Sequence, residues 1–140
     1  VALVKWALAE GCPRKKGGLT LAHVAAYEGH VELVQWLCGE GGFKKFLKND
    51  GAMGCAATSG NVELVRWLRS KGCRGSGRPD AKTCAKAAER GHLEVLRWAR
   101  ANGCKWNAWA CDDAARGGHM EVLQWLRAEG CPWTANTCTN

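Results

Sequence analysis

An eight-residue motif occurs four times in the chain and constrains its fold more than any other feature. Each copy has a glycine at its start, a glutamate three positions later and a tryptophan at its end: Gly29–Trp36, Gly60–Trp67, Gly91–Trp98 and Gly118–Trp125. A truncated copy ends at Trp6, so the five tryptophans are separated by 30, 31, 31 and 27 residues. A fixed period of this length is typical of stacked repeats, in which each unit buries its apolar face against its neighbours.

Each period predicts two helices joined by a tight turn at the motif glycine. The first helix is short and rich in alanine, and five residues of types that favour the N-cap position precede it in the successive units: Gly18, Asn49, Asp80, Asn107 and Thr134. In the second helix, glutamate in the first turn and arginine in the last complement the helix dipole. We expect the periodic tryptophans to fill the gaps between units.

Two further recurring positions mark the ends of the second helix. A histidine or asparagine follows each turn glycine, which predicts a capping role for His30, Asn61, His92 and His119. A second glycine follows the last apolar residue, and we expect it to end the helix in a left-handed conformation at Gly11, Gly41, Gly72, Gly103 and Gly130.

The repeat boundaries divide residues 1–140 into one array of helix pairs. We predict a partial repeat over 1–17, full repeats over 18–48, 49–79, 80–106 and 107–133, and a partial repeat over 134–140. Because the chain lacks an initiating methionine, we expect it to be a fragment of a longer array. The connectors within 42–48 and 73–79 are long enough to project as fingers, whereas those after Gly103 and Gly130 can form only tight turns.

Composition places the chain among ordered proteins with a basic surface. Hydrophobic residues make up 46% and charged residues 24%, which is ordinary for a globular protein, and the net charge of +7 favours acidic partners. Most of the nine cysteines recur with the repeat, so we interpret them as small buried thiols in a reducing compartment. The apolar start, Val1–Leu8, matches the repeat and is too short for a signal peptide. We therefore expect an intracellular protein, cytoplasmic or nuclear, without a membrane span.

The segment Thr20–Val34 resembles the ankyrin repeat, because it follows the family order Thr-Pro-Leu-His, Ala-Ala, Gly-His and Glu-Val. Gly72 and Cys73 stand where the family has Gly-Ala, and the abundance of Trp and Cys is similar to the short arrays of protists, algae and large viruses. The sequence departs from the family at its first-helix histidine, which later units replace by Gly54, Ala85 and Asp112. The resemblance implies an all-α solenoid of helix-turn-helix repeats with short connectors and few or no β-hairpin fingers.

The resemblance also implies a function: a non-catalytic scaffold that binds another protein through the concave face of the stack. That face would carry residues that the repeat does not require: Tyr27, Lys44, Lys45, Arg74, Arg78, Glu89, Arg90, Lys105, Trp106, Trp109, Arg116 and Trp133. Aromatic residues and arginine are enriched in binding hot spots. For Trp106 and Trp133 an alternative stays open, because their equivalent positions also suit side chains that cover the neighbouring unit.

Three other functional classes have weaker support in the sequence. The basic residues could contact nucleic acid, but they are spread over several units and form no known motif. Cys104, Cys111, Cys131 and Cys138 could bind zinc, but they lack a Cys-x-x-Cys pair. No catalytic motif is present, and the adjacent Asp112 and Asp113 favour solvation. We therefore expect no cofactor, no metal and no enzymatic activity, and a monomeric protein.

Overall fold

The computed structural model describes residues 2, 6, 9–11, 21–40, 44–48, 51–73, 79–104, 106 and 108–138. Over these ranges the chain forms eight α-helices and two short 3₁₀ helices, with no strand. The α-helices are α1 (Leu21–Tyr27), α2 (Val31–Gly39), α3 (Gly51–Ser59), α4 (Val62–Ser70), α5 (Pro79–Glu89), α6 (Leu93–Ala101), α7 (Trp109–Arg116) and α8 (Met120–Ala128). The 3₁₀ helices are η1 (Lys44–Lys48) and η2 (Ala135–Cys138).

The helices form two layers. The first helices of the units, α1, α3, α5 and α7, pack against one another in chain order, and η2 continues this layer after α7. Each second helix packs on the first helix of its own unit, and α4 also contacts α6. This arrangement confirms the predicted all-α solenoid of helix-turn-helix repeats. The boundaries between units stay a prediction, although α5 begins at Pro79, one residue before the expected boundary.

The second helices end as the sequence predicts, in a left-handed glycine. Gly72 has a φ of +79°, its N–H donates to the Arg69 carbonyl at 3.0 Å, and the Cys73 N–H donates to the Leu68 carbonyl at 3.1 Å. These two bonds satisfy carbonyls that the helix leaves without partners, as in a Schellman motif. The same pair of bonds occurs at Gly103–Cys104 and Gly130–Cys131. Gly11 also has a positive φ, and Gly41 lies outside the described residues.

The alanine pairs and the turn glycines act together at the end of the first helices. The Gly91 N–H donates to the Ala88 carbonyl at 3.1 Å, and the His92 N–H donates to the Ala87 carbonyl at 2.8 Å. Ala87 and Ala88 are fully buried, which lets adjacent first helices approach closely. The sequence Ala-Ala-x-x-Gly-His therefore encodes both a helix end and a close packing surface.

His30, His92 and His119 occupy the N-cap positions, as predicted, but their side chains make no cap bond. The His92 ring instead reaches the preceding unit, with Nε2 2.8 Å from the Thr58 carbonyl oxygen. His119 Nε2 likewise lies 3.1 Å from the carbonyl oxygen of Glu89. Since a carbonyl can only accept, Nε2 must carry the proton in both rings. These histidines join adjacent units.

Asn61 caps its helix, as predicted, and also contacts the preceding unit, as His92 and His119 do. Its Oδ1 accepts from the Leu64 N–H at 3.1 Å, which caps α4, and its Nδ2 donates to the Gly29 carbonyl at 3.1 Å. An amide carries an acceptor and two donors, so one side chain can make both bonds.

Two of the residues predicted as N-caps of the first helices do not occupy that position. The N-cap of α7 is Ala108 and not Asn107, and Asp80 lies inside α5, which begins with proline at the position where a missing N–H costs nothing. Thr134 does immediately precede η2, and its backbone N–H donates to Thr137 Oγ1 at 3.3 Å. Gly18 and Asn49 lie outside the described residues.

The core consists of leucine, valine, alanine and cysteine, whereas the tryptophans lie at its margin. The largest fully buried side chains include Leu37, Leu64, Leu68, Leu96 and Leu126. The periodic tryptophans of the four complete motifs are only half-buried against this core, and Trp6 is 63% exposed. The expectation that the indoles fill the gaps between units therefore overstated their burial.

The first long connector does not project as a finger where the structure describes it. Residues Lys44–Lys48 form η1, which packs on α2 and α3. Phe46 is buried there, and its ring meets the ring of His23 edge to face at a centroid distance of 4.9 Å. The family-type histidine of the first unit thus holds the connector against the core. Residues 74–78 of the second long connector lie outside the described residues.

Seven cysteines in the described part of the chain are thiols, and all of them except Cys55 are buried. Burial raises the pKa of Cys38 to about 11. Burial also raises the pKa of Cys111 to about 12, with a hydrogen bond to Cys131 as the next cause. Thiols with such pKa values are poor nucleophiles at neutral pH, which agrees with their interpretation as packing residues.

We predict that alanine will be tolerated less well at Gly91 than at Gly103. Both glycines have a φ of +77°, so either substitution places an L-residue in the left-handed region at a cost of about 1–2 kcal/mol. An added Cβ at Gly91 would lie 2.5 Å from His119 Nδ1, whereas one at Gly103 would meet nothing within 4 Å. Gly91→Ala should therefore lose about 1 kcal/mol more, because the bond from His119 to Glu89 is also disturbed. Urea unfolding measures both; equal losses would show that the ring has room to move.

We also predict that the free energy of unfolding will fall as pH rises from about 9 to 12. Cys111 has an ordinary pKa of 9.0 when unfolded and about 12 when folded, so the folded state holds the proton more tightly in this range. The stabilisation is complete below pH 9 and is lost as pH rises through the folded pKa, with a slope of at most about 1.4 kcal/mol per pH unit for each thiol. Urea unfolding in the presence of a reductant at pH 8, 9.5 and 10.5 tests this. Cys111→Ala should have a shallower slope; an unchanged slope would contradict the assignment.

Candidate functional site

A groove crosses the layer of first helices, with α3 as its floor and α1 and α5 as its walls. Its volume is about 440 Å³, within the range of sites that bind ligands. The residues that line it are His23, Val24, Tyr27, Gly51, Gly54, Cys55, Thr58, Lys82, Lys86 and Arg90.

The floor is low because one face of α3 carries only small side chains. Gly51, Gly54, Cys55 and Thr58 have the spacing of residues that share a helix face. A Cβ added to Gly54 would meet no atom within 4 Å. The Thr58 hydroxyl donates to the Gly54 carbonyl at 2.8 Å, so its hydrogen-bonding capacity is used within the helix. Burial raises the pKa of Cys55, so its thiol stays protonated despite the nearby ammonium of Lys82.

A row of three cations forms the wall at α5, two on the helix and Arg90 directly after its last residue. Lys82, Lys86 and Arg90 are four residues apart, which places them on one side of the helix. Lys86 Nζ lies 2.6 Å from Glu89 Oε2, whereas Lys82 makes no ion pair within the part of the chain that the structure describes. The groove is thus apolar at its floor and positively charged along one edge.

Arg90 and Tyr27 close one end of the groove. Arg90 Nη2 donates to Tyr27 Oη at 2.8 Å, and the guanidinium carbon lies 5.9 Å from the centre of the tyrosine ring. This contact joins α5 to α1 across the intervening helix of the second unit. Both residues were predicted from the sequence as binding residues, and the structure places them together.

Glu89 lies beside this closed end and connects several charged groups. The hydrogen bond from Lys86 is the largest cause that lowers the pKa of its carboxyl group, and the charges of Arg90 and Arg116 act in the same direction. Burial acts in the opposite direction and raises the pKa of the Glu89 carboxyl group. Its backbone carbonyl accepts the bond from His119, so the groove wall is also tied to the fourth unit.

Trp109 and Arg116 lie farther along the first-helix layer, on α7, and do not line the groove. Trp109 is 68% exposed. Arg116 Nη1 lies 3.0 Å from Asp113 Oδ1, but burial still raises the pKa of the Asp113 carboxyl group. An indole this exposed contributes little to the core and is available to a partner.

Trp106 and Trp133 are placed with the second helices instead. The Trp106 ring meets Trp125 edge to face with 5.5 Å between centroids, and the Arg100 guanidinium carbon lies 4.5 Å from its centre. Arg127 covers Trp133 at 4.9 Å. These contacts favour the alternative in which the two tryptophans cover neighbouring residues, away from the groove.

The other basic residues predicted for the face lie in η1 or outside the described residues. Lys44 and Lys45 belong to η1, and the exposed Lys45 does not line the groove. Arg74, Arg78 and Lys105 lie outside the described residues.

The expectation that Asp112 would be solvated is wrong. Its side chain is buried and accepts bonds from Thr134 Oγ1 at 2.6 and 2.8 Å and from Thr137 Oγ1. These bonds fasten η2 to α7. Three acceptor contacts compensate the burial of this carboxyl group, so its role is structural.

Within the described ranges, no group of three or more His, Cys, Asp or Glu side chains is placed to hold a metal ion. In the same residues no helix has both the length and the apolar character needed to cross a membrane. The groove, apolar at its floor and cationic along one edge, has a volume in the range of ligand sites.

The sequence contains a signal for the groove in residues that depart from the repeat. Lys82 and Lys86 precede Arg90 at intervals of four residues, and Gly54 stands where the first unit has a histidine. The cation spacing indicates a charged helix face, and the glycine indicates a missing side chain. Only the packing of three helices shows that these features meet.

Two family models match the chain. One, described as ankyrin repeats in three copies, matches residues 1–82, and the other, described as ankyrin repeats in many copies, matches residues 84–127. Comparison with curated proteins gave no match.

We predict a measurable energetic coupling between Tyr27 and Arg90. Both side chains are exposed, so the cation–π contact and the hydrogen bond should together contribute about 0.5–1 kcal/mol. A double-mutant cycle of Tyr27→Ala and Arg90→Ala in urea unfolding measures this coupling, and Tyr27→Phe isolates the hydrogen bond. Additive losses, within about 0.3 kcal/mol, would show that the contact does not stabilise the array.

Proposed function

Because the chain belongs to the ankyrin repeat family, we propose that it binds another protein through the exposed surface of its first helices. Ankyrin repeats are generally protein–protein interaction modules. We define the first-helix face as the groove together with the exposed Trp109 on α7. This is the concave face of the family's arrays, and the partner contacts it without undergoing a reaction.

The exposure of large apolar side chains on this face carries the proposal. Val24 is 46% exposed, Tyr27 43% and Trp109 68%. Val24 and Tyr27 lie on α1 and Trp109 lies on α7, in the same layer of helices. The packing of the units does not require any of the three. Val24 and Tyr27 are exposed at the groove, an arrangement characteristic of interaction surfaces, and Trp109 adds an exposed indole farther along the same layer.

The second helices offer a different kind of surface. Many of their exposed positions carry charges such as Glu63, Arg66, Glu94 and Arg97, although Met120 on α8 is 63% exposed, and Arg97 lies 3.4 Å from Glu94 along the same helix. Exposed ion pairs of this type contribute little energy and suit a solvated face. The larger number of exposed charges on the second helices supports the first-helix face as the binding surface.

A role in binding rather than catalysis agrees with the chemistry of the buried polar groups. Asp112 is hydrogen-bonded to two threonines, and the thiols of Cys38 and Cys111 have raised pKa values. A carboxyl group with its acceptors occupied and a protonated thiol are both held in unreactive states. We propose that the protein needs no cofactor or metal for its function.

The reduced thiols also support the proposed location inside the cell, in the cytoplasm or nucleus. The net charge of +7 supports a monomer, because like charges oppose self-association, and it favours a partner of acidic or mixed character.

Affinity purification from cell extract tests the proposal with the array as bait. The variant Tyr27→Ala/Arg90→Ala/Trp109→Ala removes an aromatic or cationic contact at three positions of the first-helix face. We expect it to recover at least about tenfold less of any specific partner than the wild type does, as measured by quantitative mass spectrometry. This loss corresponds to about 1.4 kcal/mol of binding energy, which is typical of one hot-spot side chain.

A matched control changes three exposed side chains of the second helices: Glu63→Ala/Arg66→Ala/Arg97→Ala. We expect it to retain the partner. Equal recovery by both triple variants would refute the assignment of the face. Duplex DNA measured at two salt concentrations examines nucleic acid as the alternative ligand; binding at low salt that the first triple variant abolishes would replace the protein partner by DNA.

A further inference from the structure

Gly54 leaves an unfilled space in the middle of the first-helix face. It lies inside α3 with no positive φ, and an added Cβ would meet nothing within 4 Å. Neither backbone conformation nor close packing therefore requires a glycine, although glycine weakens the interior of a helix. In the first unit, the equivalent His23 is buried against Phe46. The second unit has open space at this position instead.

The surroundings of this space determine what can occupy it. Val24 gives it one apolar wall, and the opposite wall carries Lys82, which makes no ion pair within the described residues. Lys86 is engaged by Glu89, but Arg90 uses only one of its guanidinium donors on Tyr27. An occupant should therefore combine an apolar group over the floor with negative charge along the α5 edge.

We propose that the groove binds an acidic segment of the partner protein, with one aliphatic or aromatic side chain over Gly54 and carboxylates against Lys82 and Arg90. This inference rests on the proposed function and adds the chemistry of the ligand. A volume of about 440 Å³ accommodates an anchor side chain together with part of its backbone. The carboxylates gain charge-assisted hydrogen bonds from the two cations.

Charge and ring geometry distinguish this occupant from others. A single-stranded nucleic acid in the groove would stack its bases on exposed aromatic rings, but within the groove Arg90 already lies over Tyr27, and the His23 ring is buried against Phe46. A second copy of the chain would bring another net charge of +7 to a cationic edge. An acidic peptide satisfies both the apolar floor and the charged wall.

A nine-residue peptide library, displayed with every amino acid sampled at each position, tests the ligand chemistry with the purified array. We expect enrichment of one leucine, methionine or aromatic residue flanked by aspartate or glutamate. The enriched peptide, labelled with a fluorophore, then gives a dissociation constant by anisotropy. Replacing its apolar anchor by serine should weaken binding at least about tenfold. Enrichment of basic peptides, or no enrichment, would overturn the proposal.

Gly54→Leu tests the location, because its side chain fills the space over the floor. We expect at least a tenfold loss of peptide affinity with no loss of thermal stability, since the substitution replaces a glycine inside a helix. Gly39→Leu is the matched control: Gly39 ends α2, and an added Cβ there also meets nothing within 4 Å. Full peptide binding by a folded Gly54→Leu variant would overturn the assignment.

Lys82→Glu provides a second test that does not depend on filling the groove. Because Lys82 is exposed, we expect the variant to fold. We expect the library screened against this variant to select basic or neutral flanking residues in place of acidic ones. An unchanged acidic preference would contradict the role of Lys82. The proposed function and the groove assignment can be tested separately. If Gly54→Leu retains the partner from extract but the triple variant of the first-helix face loses it, only the groove assignment fails.

Discussion

The array depends on a hydrogen bond that the second, third and fourth units each make to the backbone of the unit before them. A side chain at the start of a second helix reaches a carbonyl at the preceding turn, as His92 does at Thr58 and Asn61 at Gly29. The ring needs space, and glycine provides it by having no Cβ where His119 passes Gly91. Glycine thus serves both the geometry of the turn and the contact between units. This coupling holds adjacent units together, and the small side chains of α3 then leave the groove between α1 and α5.

Sequence reasoning succeeded where the physical cause is local. The period, the helix pairs and the left-handed glycines follow from backbone preferences within a few residues, so Gly72 and Gly103 could be assigned without knowledge of the fold. It failed where the partner lies in another unit. The acceptor of His92 is 34 residues away, and the hydroxyls that bind Asp112 lie 22 and 25 residues away. Likewise, Arg90 pairs with Tyr27, which lies 63 residues earlier and two units back in the chain.

One position of the repeat shows how an array with a common backbone acquires individual units. The first unit has His23 there, packed against Phe46, and the fourth has Asp112, bonded to the threonines that hold η2. The second unit has Gly54 and leaves the space open, and the third has Ala85. The same backbone site therefore anchors a connector, opens a groove or fastens the last 3₁₀ helix. Departures from the family pattern are accordingly more informative about function than the residues that match it.

The contact between Arg90 and Tyr27 joins two units that do not follow each other directly in the chain. It connects α1 with the end of α5 and passes over the helix between them, so it adds a link from the first unit to the third. Because both side chains are exposed, this link contributes only about 0.5–1 kcal/mol. It can therefore break while the buried core below it stays packed.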